Sequence, residues 1–203
     1  MQDVESQWLT QALNGDVDAF SQLVDTYQTP VYNLCYRMLS DPYEAEDAAQ
    51  ETFLRAFRSV ERYDRSRPFS TWLLSIAAHY CIDQIRRRRM KIVPIDLLPY
   101  EEVADPAPNP EAQYTQSEEQ RRVQTLLQTL NPTDRAALVM LYWNELSYEE
   151  IAVALNLTVS AVKSRLHRTR RELAQTWVEQ STQANIQVTV HPAERTRYES
   201  PAL

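Results

Sequence analysis

Apolar residues recur at helical spacing through most of this chain, and the breaks between the runs divide it into elements. A short run over residues 8–13 stops at Asn14-Gly15, and Asp16 or Asp18 stands where the next helix would be capped. From Ala19 the stripe Phe20, Leu23, Val24, Tyr27, Val31, Leu34, Cys35 and Met38 predicts a long helix, with Pro30 expected to kink it. Asp41-Pro42 signals a turn and a new start, and residues 44–60 read as a second long amphipathic helix. Residues 63–68, YDRSRP, form a polar loop. Ser70 or Thr71 is expected to open a third helix that runs into the arginine cluster at 86–89.

Residues 91–117 lose the period. Their prolines (Pro94, Pro99, Pro106, Pro108 and Pro110) and acids predict an extended linker. Periodicity returns near Glu118 with Val123, Leu126, Leu127 and Leu130. Asn131-Pro132 supplies a cap and a first-turn proline for a helix over 133–143 that is apolar nearly all round, the expected core of a second domain. After Val178 the pattern fades. A short strand at 186–190 within a largely disordered tail is expected. The predicted organisation is all-α, with two small helical domains at 1–90 and 118–178, an extended acidic linker at 91–117 and a tail at 179–203.

Residues 147–173, SYEEIAVALNLTVSAVKSRLHRTRREL, carry the strongest local signal. Ser147 and Glu150 have capping-box spacing, Ile151, Ala152 and Leu155 follow at helical intervals, and Asn156 suits a left-handed turn. Thr158 can cap a second helix with the inner stripe Val159, Val162, Leu166 and Leu173. Its opposite surface carries Ser160, Lys163, Ser164, His167, Arg168 and Arg171, and no acid lies between Thr158 and Arg171. This is a helix-turn-helix whose second helix is shaped for the major groove of DNA. A basic helix face alone is more often solvated surface. Here the cap, the turn residue, the small-residue contact and the acid-free helix together favour DNA.

Composition narrows the classes. Gly15 is the single glycine in 203 residues, so no glycine-rich phosphate loop or dinucleotide fingerprint can be built. The net charge of −7 argues against nucleic acid until it is resolved along the chain. Residues 1–60 hold ten acids and three bases, 61–92 three and eight, 93–119 seven and none, and 120–178 five and eight. Two basic zones therefore flank an acidic segment, and local charge governs phosphate contact. Cys35 and Cys81 read as lone buried thiols without close pairing. The histidines are scattered, so neither a metal site nor a cofactor is expected. With no signal peptide and no long apolar run, a cytoplasmic protein without membrane insertion is expected.

A second constellation lies at 41–57, DPYEAEDAAQETFLRAF. Asp47, Gln50, Glu51 and Leu54 share one helical face, suited to a basic, partly apolar partner; Phe53 and Phe57 share another and can anchor the helix in the core. Paired carboxylates also suit acid–base catalysis. No histidine or second acidic helix converges on these, so no catalytic residue is assigned.

EDAAQETF (46–53), then FSTWLLSIAAHYCIDQIRRRR (69–89), then the helix-turn-helix, resemble a bacterial RNA polymerase sigma factor of the extracytoplasmic-function (ECF) group. The resemblance spans about residues 16–176. It implies that the helix carrying Asp47, Gln50, Glu51, Phe53 and Leu54 docks on the coiled coil of the largest subunit of core polymerase, with further contact to the flap. It implies that Tyr63, Arg65, Arg67, Phe69 and the following helix, with His79, Arg86 and Arg87, read the downstream (minus-ten) promoter element as it melts and hold a flipped base. Aromatic faces and arginines fit that task, although Phe69 and Trp72 could equally be core, and core is favoured for Trp72. The family commonly has asparagine where this chain has His79. Ser160, Lys163, Ser164, His167, Arg168 and Arg171 fall to the upstream (minus-thirty-five) element. An anti-sigma protein is a further implied partner. The competing reading is a helix-turn-helix regulator that acts without polymerase.

Overall fold

A computed structural model describes the backbone of residues 2–91 and 118–189, and side chains over 4–90 and 120–178. Every regular element among these is helical: α1 (Gln2–Leu13), α2 (Val17–Leu39), α3 (Pro42–Ser59), a 3-10 turn (Val60–Arg62), α4 (Phe69–Lys91), α5 (Glu118–Thr129), α6 (Pro132–Trp143), α7 (Tyr148–Ala154) and α8 (Val159–Thr189). The predicted linker, apart from Lys91, lies outside the described residues, as does the tail beyond Thr189.

Local chemistry sets the boundaries. The Asp16 carboxylate accepts from the Ala19 N–H at 3.1 Å and starts α2, which continues through Pro30. Ser40 takes a left-handed φ of 66° and returns its N–H to the Tyr36 carbonyl at 2.8 Å, ending the helix. Asp41 then accepts from the Glu44 N–H at 2.8 Å, and Pro42 occupies the first turn of α3. Some boundaries differ from the sequence reading: α1 begins at Gln2 rather than near residue 8, and α3 spans Pro42–Ser59 rather than 44–60. α4 begins at Phe69 rather than Ser70 or Thr71, because the Trp72 N–H already bonds the Pro68 carbonyl and the Thr71 hydroxyl is engaged elsewhere. The strand expected at 186–190 is absent from the described part, where α8 stays helical to Thr189. Extending an existing helix costs far less than nucleating a new element, and 179–189 holds neither proline nor glycine to stop it.

In the first domain α2 packs against α1, α3 and α4, and α3 also packs against α4. Leu23, Val31, Leu34, Met38 and Leu73 are fully enclosed there, each worth about 1.5–3 kcal/mol of burial. Cys35 on α2 and Cys81 on α4 are both buried and free, as expected, but they are not lone: the two thiols meet. Their mutual hydrogen bond and their burial hold the Cys81 thiol far above its ordinary pKa, in the neutral form. Phe53 packs partly against the core, whereas Phe57 remains 42% exposed and only edges onto Phe20, at 5.1 Å between ring centres.

The second domain is built on α6, buried on all sides, with α7 and α8 against it. The two domains do not sit apart. α6 packs on α2 and α4, α7 on α4 and α5 on α2, so the buried apolar residues of both form one continuous cluster. Polar groups tie the seam. The Gln124 amide donates to the Tyr36 and Arg37 carbonyls and to Ser40 Oγ, at 2.9, 3.3 and 2.7 Å. Arg135, 4% exposed, bonds the Met38 carbonyl across the seam and the Gln128 carbonyl within its own domain. Burial lowers the Arg135 pKa to about 10, with the neighbouring Arg89 charge adding to the effect, so the guanidinium stays charged at neutral pH. Arg37 stacks over the Trp143 ring at 4.2 Å. No described helix is long and apolar enough to cross a membrane.

Candidate nucleic-acid interface

The helix-turn-helix forms as its sequence predicts. Ser147 Oγ accepts from the Glu150 N–H at 3.2 Å, and the Glu150 carboxylate accepts from the Ser147 N–H at 2.8 Å. The Ser147 backbone bond is the main reason the Glu150 carboxyl sits below its ordinary pKa, with the Ser147 and Thr71 hydroxyls acting in the same direction against partial burial. Asn156 adopts φ 55° at the turn, and Thr158 accepts from the Ala161 N–H at 3.1 Å to open α8. Val162 and Leu166 are buried with Thr169, while Val159 and Leu173 lie partly buried beside them. The opposite stripe is open: Ser160, Lys163, Ser164, His167, Arg168 and Arg171 are all exposed. At about 100° per residue they share an arc of roughly 140°, a width that fits a groove.

One organiser of this stripe was missed in the sequence. Asp134, near the start of α6 and almost fully buried, accepts from Arg165 at 2.7 Å and from Arg168 at 3.4 Å. Arg168 also lies 3.7 Å from Glu172. The carboxylate therefore presets the angle at which Arg168 leaves the helix. Only the fold brings residue 134 beside 168; the i, i+4 relation to Glu172 was the sole local hint. Arg170 is likewise held, by the hydroxyls of Tyr142 at 2.9 Å and Tyr148 at 3.4 Å.

In the first domain the loop after the 3-10 turn is self-braced. The Asp64 carboxylate accepts from the Ser66 N–H at 2.9 Å and pairs with Arg67 at 3.3 Å, and the Tyr63 hydroxyl donates to the Arg67 carbonyl. Tyr63 and Phe69 are buried, at 9% and 2% exposure, within an aromatic cluster that also holds Tyr27 and Trp72. Their rings are therefore not free platforms but the floor of a cavity of about 560 Å³, Phe69 following the core alternative of the sequence reading. Arg65 and Arg67 line it. So do Glu5, Ser6 and Thr10 of α1, which sequence reasoning did not associate with this site. Trp72 packs against the core, as favoured.

His79, Arg86 and Arg87 are exposed but do not line this cavity. His79 points a ring nitrogen at its own helix, 2.8 Å from the Ser75 carbonyl. Arg86 and Arg87 lie about 25 Å along α4 from Phe69 at 1.5 Å per residue. Arg88 beside them pairs with Glu44. On α3, Asp47 and Gln50 are exposed and Leu54 is half exposed, while Glu51 is shared with Arg55 at 2.7 Å. Phe53 faces inward, so its contribution to that surface is to seat the helix.

A second cavity of about 480 Å³ lies between the domains, with Arg67 on one side and Ala152, Val153, Asn156, Thr158 and Val159 on the other. The Thr71 hydroxyl donates to Glu150 at 3.1 Å beside it. The loop of the first domain and the start of α8 thus face each other. Among the described residues no cluster of histidine, cysteine and carboxylate side chains could hold a metal.

Residues 23–90 match Sigma-70 region 2, and residues 120–173 match Sigma-70, region 4. The chain is 37% identical over 172 residues to the ECF RNA polymerase sigma factor SigW of Bacillus subtilis, covering 81% of this chain and 92% of that protein. It is 39% identical over 158 residues to the ECF RNA polymerase sigma factor SigE of Mycolicibacterium smegmatis, covering 76% of this chain and 60% of that longer protein. Two solved structures share the fold. One is CnrH in complex with the cytosolic domain of CnrY (TM-score 0.65, 23% identity, 87% of this chain and 98% of that one). The other is the sigma factor RpoE with the anti-sigma factor NepR from Bartonella quintana (TM-score 0.62, 24% identity, 78% and 96%).

Proposed function

The chain belongs to the ECF RNA polymerase sigma factors, and on that premise we propose how its surfaces divide the work. It is an alternative sigma factor that directs RNA polymerase to promoters. The α3 face of Asp47, Gln50, Glu51 and Leu54 docks on the coiled coil of the largest polymerase subunit, and the second domain reaches the flap. The α8 stripe enters the major groove of the upstream element, with Lys163 and Arg168 as its main donors. Arg65 and Arg67 guide a melted strand of the downstream element into the cavity floored by Tyr63 and Phe69. Arg86 and Arg87 hold backbone phosphates further along α4. His79 belongs to that outer face of α4 rather than to the base cavity. The chain has no chemistry of its own; it stabilises the open duplex by binding single strands better than paired ones, while polymerase catalyses.

The observation that carries this reading is the coexistence of an exposed carboxylate–amide face on α3 with an acid-free reading stripe on α8. A charge reversal, Asp47→Lys with Glu51→Lys, should abolish association with core polymerase without unfolding the chain. Normal recovery of that variant on core enzyme would remove the α3 assignment. Run-off transcription that depends on both purified core enzyme and this chain separates it from a regulator acting alone.

The closed packing has a mechanical consequence. Element centres about 25 base pairs apart lie roughly 85 Å apart along B-DNA at 3.4 Å per step. Two domains packed through one continuous apolar cluster, with Arg67 facing the start of α8 across one cavity, cannot span that distance. The described arrangement is therefore the resting state, and polymerase binding separates the domains. An anti-sigma partner, of the kind bound by RpoE in the similar structure, would act on the same equilibrium.

A further inference from the structure

The cavity at the Tyr63–Phe69 floor has a wall for which the reading above gives no task. α1 closes one side with Glu5, Ser6 and Thr10, opposite Arg65 and Arg67. The Thr10 hydroxyl is spent on the Ser6 carbonyl at 2.8 Å, which leaves the Glu5 carboxylate as the strong acceptor on this wall. Glu5 is half-buried, and the Tyr27 hydroxyl donates to its Oε1 at 2.7 Å. Tyr27 is itself fixed edge-on against Phe69, at 5.5 Å between ring centres. One carboxylate oxygen is thus pinned by Tyr27, which fixes the carboxylate on the wall of the cavity. The volume, about 560 Å³, falls in the roughly 300–1,000 Å³ range of sites that enclose a small ligand.

An acidic wall repels phosphate, so Glu5 cannot serve the backbone of the strand. What a fixed carboxylate can accept from nucleic acid is the amino or imino hydrogens of a base edge. The arginines opposite offer only donors, to phosphate or to base carbonyl and ring-nitrogen acceptors. Thymine meets this arrangement poorly, because its one N–H is flanked by two carbonyl oxygens that face the carboxylate.

Building on the downstream-element reading of this cavity, we propose that Glu5, held by Tyr27, is a specificity-determining residue that selects an amino-bearing base over thymine at one position of the melted strand. α1 is then part of the promoter-reading surface and not only a cap on the bundle.

The test uses the full chain assembled with core polymerase. It is offered forked DNA from a promoter that this holoenzyme transcribes, with the single-stranded downstream segment randomised, and bound molecules are sequenced. The unaltered chain should enrich amino-bearing bases over thymine at one position by about 5- to 150-fold, the range of a single good base contact. Glu5→Gln, whose amide both donates and accepts, should erase that preference at that position alone, and Tyr27→Phe should weaken it. An unchanged base profile in Glu5→Gln, together with weaker binding by Arg65→Ala/Arg67→Ala, overturns the role of Glu5 and keeps the cavity as a strand site. Full binding and an unchanged profile in both variants overturn the cavity reading as well. A uniform loss over all positions in Glu5→Gln shows only that the residue holds α1, and refutes the proposal.

Discussion

Gln124 offers the cleanest handle on the closed state, because its amide nitrogen serves only the other domain: the Tyr36 and Arg37 carbonyls and Ser40 Oγ. These acceptors sit at the carbonyl end of α2, where the Tyr36 carbonyl also takes the Ser40 N–H. Two amide hydrogens shared among three acceptors make about two net bonds. Each is worth roughly 0.5–1.5 kcal/mol, so Gln124→Met, similar in length but without a donor, should cost closure about 1–3 kcal/mol. That shifts the closed-to-open ratio by roughly 5- to 150-fold. The assay is energy transfer between dyes at the exposed positions Arg58 on α3 and Glu172 on α8, in the free chain. The variant should populate longer distances, and its affinity for duplex upstream-element DNA without polymerase should rise. Thr125→Ala, exposed on the same helix, should leave both readouts unchanged. A distance distribution in Gln124→Met indistinguishable from that of the parent would refute the argument that these bonds hold the domains together.

The remaining expectations concern the helix-turn-helix. Ser147→Ala removes one side of the capping box and should lower stability by ~1 kcal/mol in thermal unfolding; an unchanged midpoint would mean the cap adds nothing. The Glu150 carboxyl is held below its ordinary value of 4.5 when folded, chiefly by the Ser147 N–H. The unfolded chain therefore takes up this proton first on acidification. The stabilisation is complete above about pH 4.5 and fades as pH falls through the lower folded value. Because Thr71 also donates to Glu150, closure should loosen over the same window, and Glu150→Gln should flatten that part of the energy-transfer pH profile. Lys163→Ala and Arg168→Ala should each weaken promoter output by the equivalent of ~1–3 kcal/mol if they meet bases, or reduce the salt dependence of binding if they meet phosphate. Undiminished transcription would exclude both roles.

Much of the fold was legible because helices are local objects. Caps at Asp16, Asp41, Asn131, Ser147 and Thr158 are each decided within four residues, and the structure uses every one. The α8 stripe was legible for the same reason, since a 3.6-residue period fixes which side chains share a face. The failures fall where the decision is not local. The sequence could place Tyr63 and Phe69 near one another but not show that Tyr27 and Trp72 would bury them. The strand expected at 186–190 lost to a helix already nucleated some thirty residues earlier.

By itself, then, the sequence determined the helical elements, the exposed basic stripe of α8, the exposed carboxylate–amide face of α3 and the family, because period, caps and motif spacing are properties of short segments. Only the tertiary structure decided which segments meet. It set Asp134 under Arg165 and Arg168, Cys35 against Cys81, Glu5 against Tyr27 on the wall of the cavity floored by Tyr63 and Phe69, and Gln124 on the carbonyl end of α2. These partners stand 22 to 88 positions apart. Chain connectivity alone does not favour such pairings. They form because the helices of each domain pack their apolar faces together, and in the case of Gln124 because the two domains also merge theirs; burial then requires each polar group to find a partner.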